Sequence, residues 1–355
     1  MREHDHREDP AGWARSLGVS REAIDLYLDS EVIDLHVDSF IWHRVFGYDL
    51  TRRHDAFTRG YCMSQVDFPR VLEAELAGAT WVITTNPARD GASRAETFER
   101  NVRELVSLFE GASRHFAVVR NVAEYRAARR EGKHAAFIGV QGGNALDHDP
   151  TVLDRLPPGL ILRVTLMHLT RSRLGGPSGP FAQRTKRGLT ERGVELVRKL
   201  NAARVFVDLA HASPRTFDDV FAVHDRTQPL LVTHTGVSGV YPHWRNLDDR
   251  QIRRVADTGG TIGIIYHSAY LGDPLWAGKL ESIVRHLEHT ISVAGEDAAS
   301  LGSDWDGSIV TPRDMQTCLE LPRLVDCMLR RKWPADRVQK VLGRNFLRVL
   351  RELRG

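Results

Sequence analysis

The sequence is poor in cysteine, has no long apolar run and carries almost no excess of either charge. Its three cysteines, Cys62, Cys318 and Cys327, are odd in number and widely spaced. That excludes a disulfide framework or a zinc-finger spacing and leaves isolated thiols of a reduced compartment. No segment approaches the roughly 18 consecutive apolar residues of a spanning helix, and the polar start MREHDHREDP lacks the apolar heart of a secretory signal. A cytoplasmic protein without a membrane partner is the expectation. Lys and Arg number 49 against 46 Asp and Glu, a balance of +3 with His neutral, which excludes the basic footprint of a nucleic-acid partner. The glycine fingerprints of nucleotide sites are missing as well.

What is present is a hydrophobic fraction of 42% in 355 residues. Eight short apolar segments recur, at 32–37, 79–84, 134–140, 160–167, 204–210, 229–234, 260–265 and 299–304, each followed by a loop and a stretch of helical character. Near-continuous apolar character is what a parallel strand covered on both faces requires. Helix starts are readable at Ser213-Pro214 and at Asp248. The pattern predicts an α/β fold, a (β/α)8 TIM-like barrel. Residues 1–20 are expected as a flexible N-terminal segment and 21–355 as one catalytic-type domain, with an insertion at about 40–64 after the first strand.

Ionisable residues cluster at the predicted strand ends. His36 and Asp38 are two apart, so an extended backbone throws both to one side. Gln141, His168, His211, His234 and Asp304 end five other strands, and in a barrel those ends converge on one mouth. A single buried histidine is ordinarily a hydrogen-bonded core residue. Four histidines and two carboxylates at the same ends of different strands point instead to a metal site.

With these motifs in order, the chain from about residue 22 to 351 resembles the renal or membrane dipeptidase family of zinc peptidases, within the amidohydrolase-like metal-dependent hydrolases. The resemblance rests on VIDLHVD at the first strand, GVQGGN at the third, LTERGVELVRKLN followed by VFVDLAHAS, PLLVTHTG with HWRN close behind, GLT at 188–190, LGSDWDG at the eighth strand, and VQKVLGRNFLRVL near the end. It implies that His36 and Asp38 hold one zinc, that His211 and His234 hold a second, and that position 141 bridges them. It further implies that His168 stabilises the tetrahedral intermediate, that Asp304 handles the proton of the attacking water, that Arg245 receives the substrate's terminal carboxylate, and that the enzyme is a homodimer.

The family's bridging glutamate is Gln141 here, and its EGG plus histidine is QGG plus Asn144. An amide offers one metal-binding oxygen, no formal charge, and an NH2 that does not coordinate. One or two zinc ions are therefore expected, the second bound weakly. Asn144, Tyr266 and His267 complete the expected substrate contacts, His267 doubling as a candidate replacement ligand. Three functions accommodate the residues: hydrolysis of a dipeptide or closely related small amide, hydrolysis of a different small amide, ester or lactam, and a catalytically impaired binding protein. The amphipathic stretch DMQTCLELPRLVDCMLRRKW is of the type that supports a subunit interface, or its apolar positions pack within the chain.

Overall fold

The computed structural model describes residues 4–54, 62–84, 90–170, 172–180 and 187–355. Residues 55–61 of the expected insertion lie outside them. Among the described residues nine strands form one sheet: β1 (Ile33–Val37), β2 (Gly78–Thr84), β3 (Phe116–Val118), β4 (His134–Gln141), β5 (Ile161–Thr165), β6 (Phe206–Asp208), β7 (Leu231–Thr235), β8 (Thr261–Ile264) and β9 (Ala299–Leu301). Eight run in the parallel order β1-β2-β4-β5-β6-β7-β8-β9, and β3 pairs with the start of β4 off that path. β1 and β9 complete the ring through Asp304 N–H to the His36 carbonyl (3.1 Å) and Asp38 N–H to the Trp305 carbonyl (2.8 Å). The result is a (β/α)8 TIM-like barrel.

Every residue of the eight ring strands is buried, as strands with helices on one face and a packed barrel interior on the other must be. The helix Asn345–Arg354 places Phe346, Leu350 and Leu353 in a cluster with Ile33, Phe137 and Leu231, covering the barrel end opposite the strand C-termini. The predicted helix starts form as read. Ser213 Oγ accepts from Thr216 N–H at 3.1 Å, and Asp248 caps Asp249–Asp257 in a reciprocal box with Gln251.

Two further helices pack onto the barrel. Residues 10–17, read as part of a flexible segment, form a helix capped by Asp9. Its Trp13 is 3% exposed and meets Tyr27 edge-on at 5.6 Å, so one large aromatic holds down an otherwise polar stretch. The helix Leu321–Arg330 turns Leu324, Val325 and Met328 into the core, so its apolar face is spent on intrachain packing.

Candidate metal centre

The strand ends bring most of the expected residues together. His36 and His234 are the penultimate residues of β1 and β7, Gln141 is the last of β4, and His168, His211 and Asp304 each stand three residues beyond their strands. His211 and Asp304 adopt left-handed backbone, with φ of 63° and 64°, which costs about 1–3 kcal/mol each. The surrounding hydrogen bonds hold them there: the His211 carbonyl accepts from Ser178 N–H at 2.6 Å, and Asp304 is clamped between His36 and Gly307.

His36, His234 and Asp304 each offer a ligand atom, and these lie within 4.8 Å of one another. His211 joins them, its Nε2 lying 2.8 Å from His234 Nε2, while its Nδ1 is buried with no hydrogen-bond partner among the described residues. Burial, with Arg163 and Arg245 nearby, holds His36, His211 and His234 well below the usual imidazole range, so all three are neutral at neutral pH. Burial pushes Asp38 up to about 7 and Asp304 well above the carboxylate range, Asp38 adding to the effect at Asp304. Facing neutral imidazoles and carboxyls this reluctant to ionise unaided are a donor set that a divalent cation satisfies, since it restores the carboxylates to their charged form.

Gln141 and Asp38 are tied to one hydroxyl: Thr84 Oγ1 lies 2.7 Å from Asp38 Oδ1 and 2.7 Å from Gln141 Oε1. His168 meets the His211 ring edge-on at 4.9 Å, and burial followed by Arg245 lowers its pKa to about 4. A cavity of about 310 Å³ opens over the cluster, with Asp38, Gln141, His168, His211, Arg245 and Asp304 in its wall. Arg245 donates from Nη2 to the His234 carbonyl at 2.6 Å.

His267 also lines the cavity, its Nδ1 accepting from Val310 N–H at 3.0 Å. Tyr266 stands apart from the wall, fully buried and edge-on to Trp305 at 5.1 Å. Asn144 is likewise set back, on the turn Gly143–Ala145. The sequence reading missed the layer beneath: Arg163, Asp208, Thr84 and Thr233. Arg163 is fully buried, its Nη1 donating to Asp208 Oδ2 at 3.0 Å and its Nη2 to His36 Nδ1 at 2.8 Å. The available signal was a lone arginine inside the apolar run LILRVTLM.

The sequence pattern of the membrane dipeptidase family, peptidase family M19, matches residues 20–354. An uncharacterized protein of the pqqA 5' region of Klebsiella pneumoniae is 32% identical over 231 residues, 63% of this chain and 84% of the relative. A metallo peptidase from Rhodobacter sphaeroides, solved with a phosphinate mimic of the dipeptide L-Ala-D-Ala, is 25% identical with a TM-score of 0.76, covering 91% of this chain and 99% of its own. The probable dipeptidase PvdM from Pseudomonas aeruginosa shares the fold at 16% identity and a TM-score of 0.80, covering 96% and 98%.

Proposed function

We propose, from the premise that this chain belongs to the membrane dipeptidase family, peptidase family M19, that it hydrolyses a dipeptide or a closely related small amide with the help of a divalent cation at the barrel mouth. The observation that carries the substrate class is Arg245. It is 4% exposed and sits in the cavity wall, its Nε has no hydrogen-bond partner, and no carboxylate pairs with it among the described residues. A buried guanidinium needs an anion, and its planar fork suits a carboxylate. The free carboxyl of a very short peptide meets that need in a cavity of this size. The phosphinate dipeptide mimic bound by the Rhodobacter relative supports the same class.

Zinc suits the nitrogen and oxygen donors. A bound divalent cation supplies Lewis acidity, polarising a carbonyl and making water nucleophilic near neutral pH. The chain's own groups do the rest. Arg245 anchors the substrate carboxylate and so sets the scissile amide over the cluster. His168 faces the oxygen on which charge develops. Asp304, ionised when a cation is bound, would take a proton from water and return it to the leaving amine. A cytoplasmic homodimer is the form we assign, and light scattering on the purified chain tests its subunit number.

Two measurements test the function. Elemental analysis after purification under gentle zinc supply should find about one equivalent or more, and replacing both His211 and His234 by alanine should remove it. No bound metal in either protein would sink the metal assignment. A free dipeptide should turn over at least about tenfold faster than its C-terminal amide, a preference that Arg245→Ala erases. Equal turnover of acid and amide by the parent protein would transfer the function to a different small amide, ester or lactam.

A further inference from the structure

The hydrogen-bond network beneath the centre fixes where each histidine carries its proton. A guanidinium has five N–H donors and no lone pair to accept with. Arg163 Nη2 lies 2.8 Å from His36 Nδ1, so that nitrogen is the acceptor. Neutral imidazole has a single N–H, which must then be on Nε2, 3.5 Å from Asp304 Oδ1 and without a hydrogen-bond partner among the described residues. A protonated ring nitrogen has no lone pair for a metal. Arg163 cannot readily turn away, because both it and its partner Asp208 are fully buried and its Nη1 also donates to Thr165 Oγ1 at 2.5 Å.

His234 shows the opposite arrangement. The Thr233 hydroxyl gives its one proton to Asp208 Oδ2 at 2.7 Å. Its oxygen also lies 3.0 Å from His234 Nδ1, so the proton in that contact belongs to the histidine. His234 therefore carries its proton on Nδ1 and presents the Nε2 lone pair, as metal-bound histidines do when a neighbouring group accepts from their other nitrogen. Charge points the same way. Arg163 brings a positive charge into contact with His36, and β4 ends in neutral Gln141, so a second dication would face added repulsion with no bridging carboxylate to offset it.

We propose that Arg163 withholds His36 from the metal, so that the centre takes a single divalent ion through His234 and its neighbours. The single-ion part rests on the metal-dependent reading above; the protonation pattern does not. The test uses the full chain labelled with 15N-histidine, first treated with chelator and then given zinc. Long-range 1H–15N spectra of the metal-free protein should show His36 with its proton on Nε2 and His234 with its proton on Nδ1. On adding zinc the Nε2 signal of His234 should shift to a metal-bound position while the His36 pattern persists.

Zinc calorimetry supplies the second readout. The parent protein should take one equivalent, His36→Ala should keep it within about threefold in Kd, and His234→Ala should weaken it by about 100-fold. His36→Gln replaces the alanine variant if that fails to fold. A His36 proton on Nδ1, or a loss of zinc in the His36 variants as large as in His234→Ala, overturns the proposal. Failure of the parent protein to bind zinc overturns the functional reading and the single-ion part together, and the metal-free spectrum separates that failure from an error about His36.

Discussion

Thr84 has one hydroxyl proton and two oxygens within 2.7 Å to share it, Asp38 Oδ1 and Gln141 Oε1. Gln141→Glu makes both acceptors carboxylates in a buried site. Without a cation, a second buried carboxyl beside Asp38 must either stay protonated or ionise against repulsion, and either is costly, so the metal-free variant should melt below the parent, by roughly 2–4 °C for each kcal/mol lost. With zinc the added charge becomes an asset, and the zinc-dependent rise in melting temperature should exceed that of the parent. Thermal scans in chelator and in zinc check both halves, and equal shifts in the two proteins would place residue 141 outside the reach of the ion. This site is partly legible in the sequence. His36, Gln141, His211, His234 and Asp304 can be read because apolar strands announce where they stop. Arg163 and Thr233 cannot, because their roles depend on which atom of a neighbouring strand each one meets, and register is invisible to a hydropathy pattern.

At the level of elements, strong periodicity is what made the fold readable. Near-continuous apolar runs placed the eight ring strands, and the last of them, read at 299–304, shortens to Ala299–Leu301, its closing role taken over by backbone bonds from Asp304 and to Trp305. β3 escaped notice because Phe116–Val118 lies off the ring and buries only Phe116 fully, so it lacks the near-continuous burial of the ring strands. Helix ends follow side-chain chemistry more directly. Asp248 accepts from Gln251 N–H at 2.8 Å, and the Gln251 side chain accepts from Asp248 N–H at 3.0 Å. Asp248→Ala removes one arm of that box and should cost about 1 kcal/mol, seen as a lower urea midpoint with an unchanged m-value. Zinc affinity should not move, since the cap lies outside the ligand cluster.

For the molecule as a whole, acid is the predicted weakness. His134 is buried at the start of β4, its Nδ1 donating to the Leu76 carbonyl at 2.9 Å and its Nε2 accepting from Trp81 Nε1–H at 3.2 Å. Burial lowers its pKa from 6.5 to about 3, and burial likewise lowers His286 to about 4. The unfolded chain therefore binds protons that the folded chain refuses. The stability these two histidines contribute is fully present above about pH 6.5 and is lost as pH drops toward the folded values, by up to roughly 1.4 kcal/mol per pH unit for each. Urea midpoints between pH 7 and 5 should show the decline, and His134→Asn should make it shallower; parallel slopes would refute the assignment.

The closure of the ring also sets a schedule for biosynthesis. His36 lies on the first strand, while Asp304 follows the last, and the seam joins residues 267 positions apart, as in the bond from Ser303 Oγ to the His36 carbonyl. A ribosome releases Asp38, the first carboxyl of the cavity wall, long before Asp304, the last, exists. The cation pocket is thus absent throughout most of translation, and a growing chain has no complete trap for stray ions. Metal loading becomes an event of the finished barrel, governed by the ions available after synthesis.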